Sequence, residues 1–178
     1  MPQCVITGHR NGRAVFVKEG SPAEVVSFAK TPDMAMSRIF ASSGRPGVGG
    51  DKIAWDEGNI PFLPAVGETR FCILTIPPDS VMSQPGFDLA GALKEFAELQ
   101  PEMAALREAA DPAMHRTDTI DHIVILEGEV WLELDDGQEV LLRQHDVVVQ
   151  DGTRHAWRNR GDGPVTMAVV MLGAERIG

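Results

Sequence analysis

Residues 114–159, MHRTDTIDHIVILEGEVWLELDDGQEVLLRQHDVVVQDGTRHAWRN, leave this chain little choice of fold. Short strand-like runs rich in Val, Ile and Leu occupy 123–126, 130–134 and 139–142. Two more follow at 146–149 and 155–159. The links between them are Glu127-Gly128-Glu129, Asp135-Asp136-Gly137 and Asp151-Gly152-Thr153. Such links are hairpin signals, because glycine accepts the positive φ that tight turns demand. Short strands at nearly even spacing predict a small antiparallel barrel or sandwich.

Two groups of residues in this stretch resemble the paired motifs of the cupin superfamily. His115, Asp121 and Gly128 fill the first-histidine, acid and closing-glycine places of the first motif. Asp146, Gly152, His155 and Asn159 follow the second in order and spacing. The chain departs from the pattern in four places. Thr117 stands where a second histidine belongs, the acid is Asp rather than Glu, His145 replaces the glycine before Asp146, and Gln150 replaces a proline. The resemblance implies an all-β fold: a cupin-like double-stranded β-helix, or jelly-roll barrel, of the RmlC-like kind. Residues 1–87 would form an N-terminal β extension contributing strands to the barrel, 88–112 a helical insertion and 113–178 the core motifs, all within one structural domain. It also implies a homodimer, with exposed N-terminal strands as a pairing edge.

Composition narrows the function classes. A chain of 178 residues suits one domain with a sizeable core. Its formal charge of −10 opposes binding to nucleic acid, whose phosphates want a basic surface. No apolar run is long enough to span a membrane, and the N-terminus shows no apolar signal region. Cys4 and Cys72 are far apart with no CxxC spacing, so two thiols in a reducing cytoplasm are expected rather than a disulfide.

Ahead of the motifs, Asn11-Gly12 between two apolar runs predicts a hairpin. Short strands are expected near 24–28 and 37–41. The glycine-rich 42–51 lacks the Lys-Ser/Thr and the helix of a phosphate-binding loop and reads as a surface loop, followed by an irregular stretch at 55–64. Residues 68–77 read as a central strand with Arg70, Cys72, Leu74 and Ile76 on one face. Asp88 is placed to cap a helix presenting Leu89, Leu93, Phe96 and Ala97 on one side, and Pro101 opens another helical turn through Met103, Leu106 and Arg107. Residues 164–172 read as a last buried strand.

Alternation along an extended chain puts His115, Thr117, Asp121, Ile123 and Ile125 on one side, with His122 on the other. In a barrel of the implied kind His115, Asp121 and His155 converge, and two imidazoles with a carboxylate suffice as ligands for Fe, Mn, Ni or Zn. These three are the expected metal and catalytic residues. Thr117, Trp157 and Arg70 are the expected substrate-binding residues: a hydroxyl for hydrogen bonding, an aromatic wall, and a guanidinium for a carboxylate or for the barrel rim. Nucleotide fingerprints and nucleophile elbows are absent.

Three functions fit this reading. The first is a mononuclear metal-dependent enzyme on a small organic molecule, of dioxygenase, decarboxylase, isomerase or lyase type. The second is a metal-free binding or sensor barrel with the same pocket, which Thr117 in place of histidine favours. The third is a metal-free acid–base enzyme in which a histidine is the base and Asp121 orients it.

Overall fold

The computed structural model describes residues 3–22, 24–44, 47–51 and 61–177. Most of the glycine-rich 42–51 is therefore in view, whereas much of the irregular 55–64 lies outside the described residues.

The N-terminal hairpin forms as its turn predicts. Strands β1 (Cys4–Arg10) and β2 (Arg13–Gly20) pair antiparallel. Asn11 and Gly12 between them both adopt positive φ, 52° and 73°, the pair of left-handed residues that matches the twist of a two-residue hairpin. This hairpin is a sheet of its own. It leaves Phe16 66% exposed, and at its base the Cys4 thiol lies 3.8 Å from the Ile39 carbonyl.

The body is two sheets packed face to face. The larger contains β3 (Glu24–Ser27), β4 (Ala35–Ser42), β5 (Thr69–Ile76), β6 (Thr119–Glu127), β9 (Val147–Asp151) and β11 (Val165–Gly173), in the order β3-β4-β5-β11-β6-β9. The smaller contains β7 (Glu129–Glu133), β8 (Glu139–Arg143) and β10 (Ala156–Arg158), in the order β10-β7-β8. Val130, Leu132 and Leu142 of the small sheet meet Cys72, Ile123, Ile125, Met167, Val169 and Met171 of the large one in a single core. Ile125, Val130, Val165 and Met167 are fully buried, each contributing roughly 1.5–3 kcal/mol by leaving water. This is the barrel architecture expected from the turn spacing.

The β6–β7 turn explains its glycine. Gly128 has φ +81°, and a Cβ there would lie 3.0 Å from the Pro164 carbonyl oxygen and 3.2 Å from Val165 Cα. Both thiols are free and buried.

The helical insertion is a 3-10 turn at Asp79–Ser83, then α1 (Leu89–Leu99) and α2 (Pro101–Leu106). Asp88 caps α1 by accepting from the Gly91 amide at 2.9 Å, and Pro101 opens α2. The buried face of α1 differs from the expected one: Ala92 and Phe96 pack inward, while Leu89 and Leu93 stay exposed. Phe28 is the cause, because its ring stacks on Phe96 at 5.6 Å and draws that stripe of the helix toward the sheet.

Candidate functional site

Strand alternation builds the site. On β6, Thr119, Asp121, Ile123 and Ile125 point inward and His122 outward, as the parity argument requires. Asp121 lies in a row that crosses the large sheet on its inner face: Ala41, Arg70, Met171, Asp121 and Gln150 are successive cross-strand partners, and all five are buried.

His115 and His155 lie on adjacent segments joined by an isolated antiparallel bridge, with the amide of each donating to the carbonyl of the other at 3.0 and 2.9 Å. Their rings are 4.4 Å apart, and Trp157 stands edge-on to His155 at 5.9 Å. Each imidazole has its Nδ1 3.0 Å from a backbone carbonyl two residues earlier, Ala113 for His115 and Thr153 for His155. A carbonyl only accepts, so at His115 it holds the ring proton on Nδ1 and leaves the Nε2 lone pair of the neutral ring available, whereas Nδ1 of His155 also meets the Gln150 side-chain nitrogen, a donor. Both rings are held neutral: burial pushes the His155 pKa down to about 4, helped by His115, and burial lowers His115 as well, with the Arg107 charge contributing. The Gln150 amide abuts Nδ1 of His155.

Asp121 and Gln150 share an unusual feature. Asp121 Oδ1 and Gln150 Oε1 are buried with no hydrogen-bond donor among the described residues. Unmet buried acceptors are costly, and they occur where a ligand, an ion or water completes the site. Burial raises the Asp121 pKa, and a hydrogen bond from Thr119 partly offsets this. The Thr117 and Thr119 hydroxyl oxygens are 2.7 Å apart. With the Thr119 proton given to Asp121, Thr117 becomes the donor to Thr119, forming a chain of hydroxyls that ends on the carboxylate.

Of the three expected metal ligands, the structure brings His115 and His155 together but does not gather Asp121 with them. Among the described residues no group of three His, Cys, Asp or Glu side chains is close enough to hold one ion. The donor chemistry nevertheless fits a cation: two neutral imidazoles, and two buried oxygens that lack donors among the described residues. Thr117 and Trp157 belong to this cluster. Arg70 does not serve as expected, either at the rim or for a substrate. It is 2% exposed, and its guanidinium donates to the carbonyls of Pro61, Ser42 and Thr69 and to Glu68, at 2.8–3.1 Å. Its partners are the end of β4 at Ser42, Thr69 of its own strand, and Pro61 and Glu68 just before that strand, which only the folded chain brings together. Asp146 and Asn159 fix turns as expected. Asp146 accepts from the Arg143 amide at 2.7 Å, and Asn159 bonds Ile76 O, Gly163 O and the Gly161 amide. A cleft of about 300 Å³ between β3, β4 and the α1–α2 corner is lined by none of these site residues.

Sequence reasoning missed two residues. Gln150 was visible only as a substitution for proline, although alternation from Val148 places it inward. Arg107 reads from sequence only as the end of a helical turn, yet its guanidinium lies over the Phe96 ring at 3.6 Å and its charge is felt at His115.

Comparison with known proteins finds a family match over the C-terminal part of the chain. Residues 103–171 match the family model described as a cupin domain. The chain is 49% identical over 92 residues to phomopsin biosynthesis cluster protein C' of Diaporthe leptostromiformis, covering 52% of this chain and 42% of that protein. It is 37% identical over 82 residues to oryzines biosynthesis cluster protein J of Aspergillus oryzae, covering 46% and 42%. It is 40% identical over 67 residues to the cupin-domain-containing oxidoreductase virC of Hypocrea virens, covering 36% and 34%. The matched stretches thus span less than half the length of these relatives. A solved structure of a cupin 2 conserved barrel domain protein from Salinispora arenicola aligns with a TM-score of 0.41 at 14% identity, covering 83% of this chain and 82% of that one. No helix among the described residues is long and apolar enough to cross a membrane. On that match, residues 103–171 are similar to the cupin domain family.

Proposed function

We propose that this chain is a cupin enzyme that binds one transition metal through His115 and His155 and carries out redox chemistry on a small organic molecule. One observation carries the reading: two neutral imidazoles lie with ring centroids 4.4 Å apart, each with its Nδ1 3.0 Å from a backbone carbonyl. Relatives named as cupin-domain-containing oxidoreductases support the redox class. Asp121 Oδ1 and Gln150 Oε1 are oxygens without a donor among the described residues, and Asp121 is the third ligand proposed. When bound, such a metal supplies a Lewis acid or a redox centre.

The chain's own residues do the remaining work. Trp157, packed against His155 and the core, walls the site from water. Thr117 and Thr119 orient a proton toward Asp121. The observation that favours the metal-free alternative is that Asp121 is not gathered with the two histidines. In that case His115 or His155, uncharged at neutral pH, is the base.

Elemental mass spectrometry of untagged protein, with His155→Ala beside it, separates the two. The expected result is about one equivalent of Fe, Mn, Ni or Zn in the parent and its loss in the variant. No metal in either protein, and none taken up on titration with these ions, sinks the metal reading.

A further inference from the structure

The guanidinium whose charge is felt at His115 has no carboxylate partner among the described residues. Most arginines that pack against the body of this acidic chain are paired: Arg70 with Glu68, Arg154 with Glu108 and Asp135, Arg158 with Asp111 and Glu133, Arg160 with Glu139, and Arg176 with Asp118. Arg107 is half-buried, its guanidinium lies over the Phe96 ring at 3.6 Å, and that guanidinium has no hydrogen-bonding partner among the described residues. Burial lowers its pKa without any ion pair to compensate. The ring covers one face of the guanidinium and leaves its fork of N–H donors unused.

Its position beside the histidines is fixed from both sides. The next residue, Glu108, donates its amide to Met114 O at 3.1 Å, directly before His115. The Glu108 carboxylate takes both ends of the Arg154 guanidinium at 2.6 and 2.7 Å, directly before His155. The segment that carries Arg107 is thereby tied to both strands that carry the imidazoles. Helix packing alone does not account for this arrangement. A cation stacked on an aromatic ring is satisfied on one face, but a half-buried guanidinium without an acceptor is costly unless a ligand supplies one.

We propose that Arg107 is the substrate-binding residue that takes a carboxylate, so that the substrate is a small organic acid held with its carboxylate on Arg107 and its reacting part toward His115 and His155. This rests on the reading of the histidine pair as the reaction centre. A single planar fork matches a carboxylate in both shape and charge, whereas a phosphate dianion would carry excess charge into surroundings that already hold Glu108 and Asp111.

The test uses the full chain stripped of metal by a chelator, so that binding is read independently of metal chemistry. Acetate, benzoate and succinate are titrated by calorimetry beside acetamide, benzamide and succinamide, into the parent, Arg107→Met and Arg107→Lys. The expected result is that at least one carboxylate binds the parent while its amide binds roughly tenfold more weakly or worse. Arg107→Met loses that preference and Arg107→Lys keeps part of it, with thermal melts confirming that both variants fold. Equal binding of acid and amide overturns the inference, as does an acid preference that survives in Arg107→Met. Absence of carboxylate binding to the parent overturns it too, and metal uptake by the same preparation then shows whether the reaction-centre reading survives on its own.

Discussion

Around Asn159 every side-chain polar atom has a partner, whereas around Asp121 donors run short. Both side chains are buried, and both stand at motif positions. Asn159 gives its two N–H groups to Ile76 O and Gly163 O and accepts from Gly161. Asp121 receives a hydrogen bond from Thr119 but leaves Oδ1 bare, next to a strand whose Gln150 leaves Oε1 bare as well. A saturated polar group locks one geometry. An unsaturated one stores unfavourable energy until something binds. The contrast separates residues that hold the barrel together from residues held ready within it.

Three experiments break or sharpen that contrast. The largest effect is expected at Asn159. Asn159→Ala strands two carbonyls and an amide and should cost about 3 kcal/mol in denaturant unfolding, while the folded fraction keeps whatever ligand the parent takes up. A loss under 1 kcal/mol would erase the distinction.

The second concerns pH. His155 has a native pKa of about 4 against 6.5 for a free imidazole, so between those values the unfolded chain takes up a proton that the native state refuses. Stability therefore falls as pH drops from about 6.5 to about 4, by on the order of 3 kcal/mol. Asp121 acts in the opposite direction. Its raised native pKa favours the folded state at low pH, and that contribution is lost as pH rises through the native value. Unfolding free energies measured across this range should show a slope that flattens in His155→Gln; an unchanged slope would assign it elsewhere.

The smallest effect is expected at Asp121. Asp121→Asn removes a buried charge and should stabilise the ligand-free protein at pH 8 by about 1 kcal/mol. Destabilisation instead would mean that Oδ1 has a partner in solution, and Asp121 would then resemble Asn159.

The same contrast explains what could be read in advance. Turn glycines and alternation make the barrel legible: Gly128, Asn11-Gly12 and the inward parity of Asp121, Ile123 and Ile125 are local properties. His115 and His155 are legible as a pair because two motif positions announce them. Gln150 is not, because its importance comes from the β6–β9 register that sets it opposite Asp121. Arg70 and Arg107 are misread for one shared reason. A guanidinium's role depends on which acceptors the folded chain brings to it: Arg70 meets carbonyls at Ser42 and Pro61, and Arg107 meets a ring and no acceptor. The face of α1 is misjudged likewise, since Phe28, distant in sequence, decides which stripe packs.

The β1–β2 hairpin has a consequence for how the molecule comes apart. It is a sheet separate from the body, and a two-stranded ribbon is marginal in water by itself. Opening it breaks no pairing of the larger sheets, so its backbone amides should exchange with solvent at a free energy well below that of global unfolding. The amides of β5, β6 and β11, at the centre of the six-stranded sheet, should exchange only when the whole body opens. Unfolding thus has two cooperative units, and the boundary between them falls at Gly20–Pro22, where the hairpin ends.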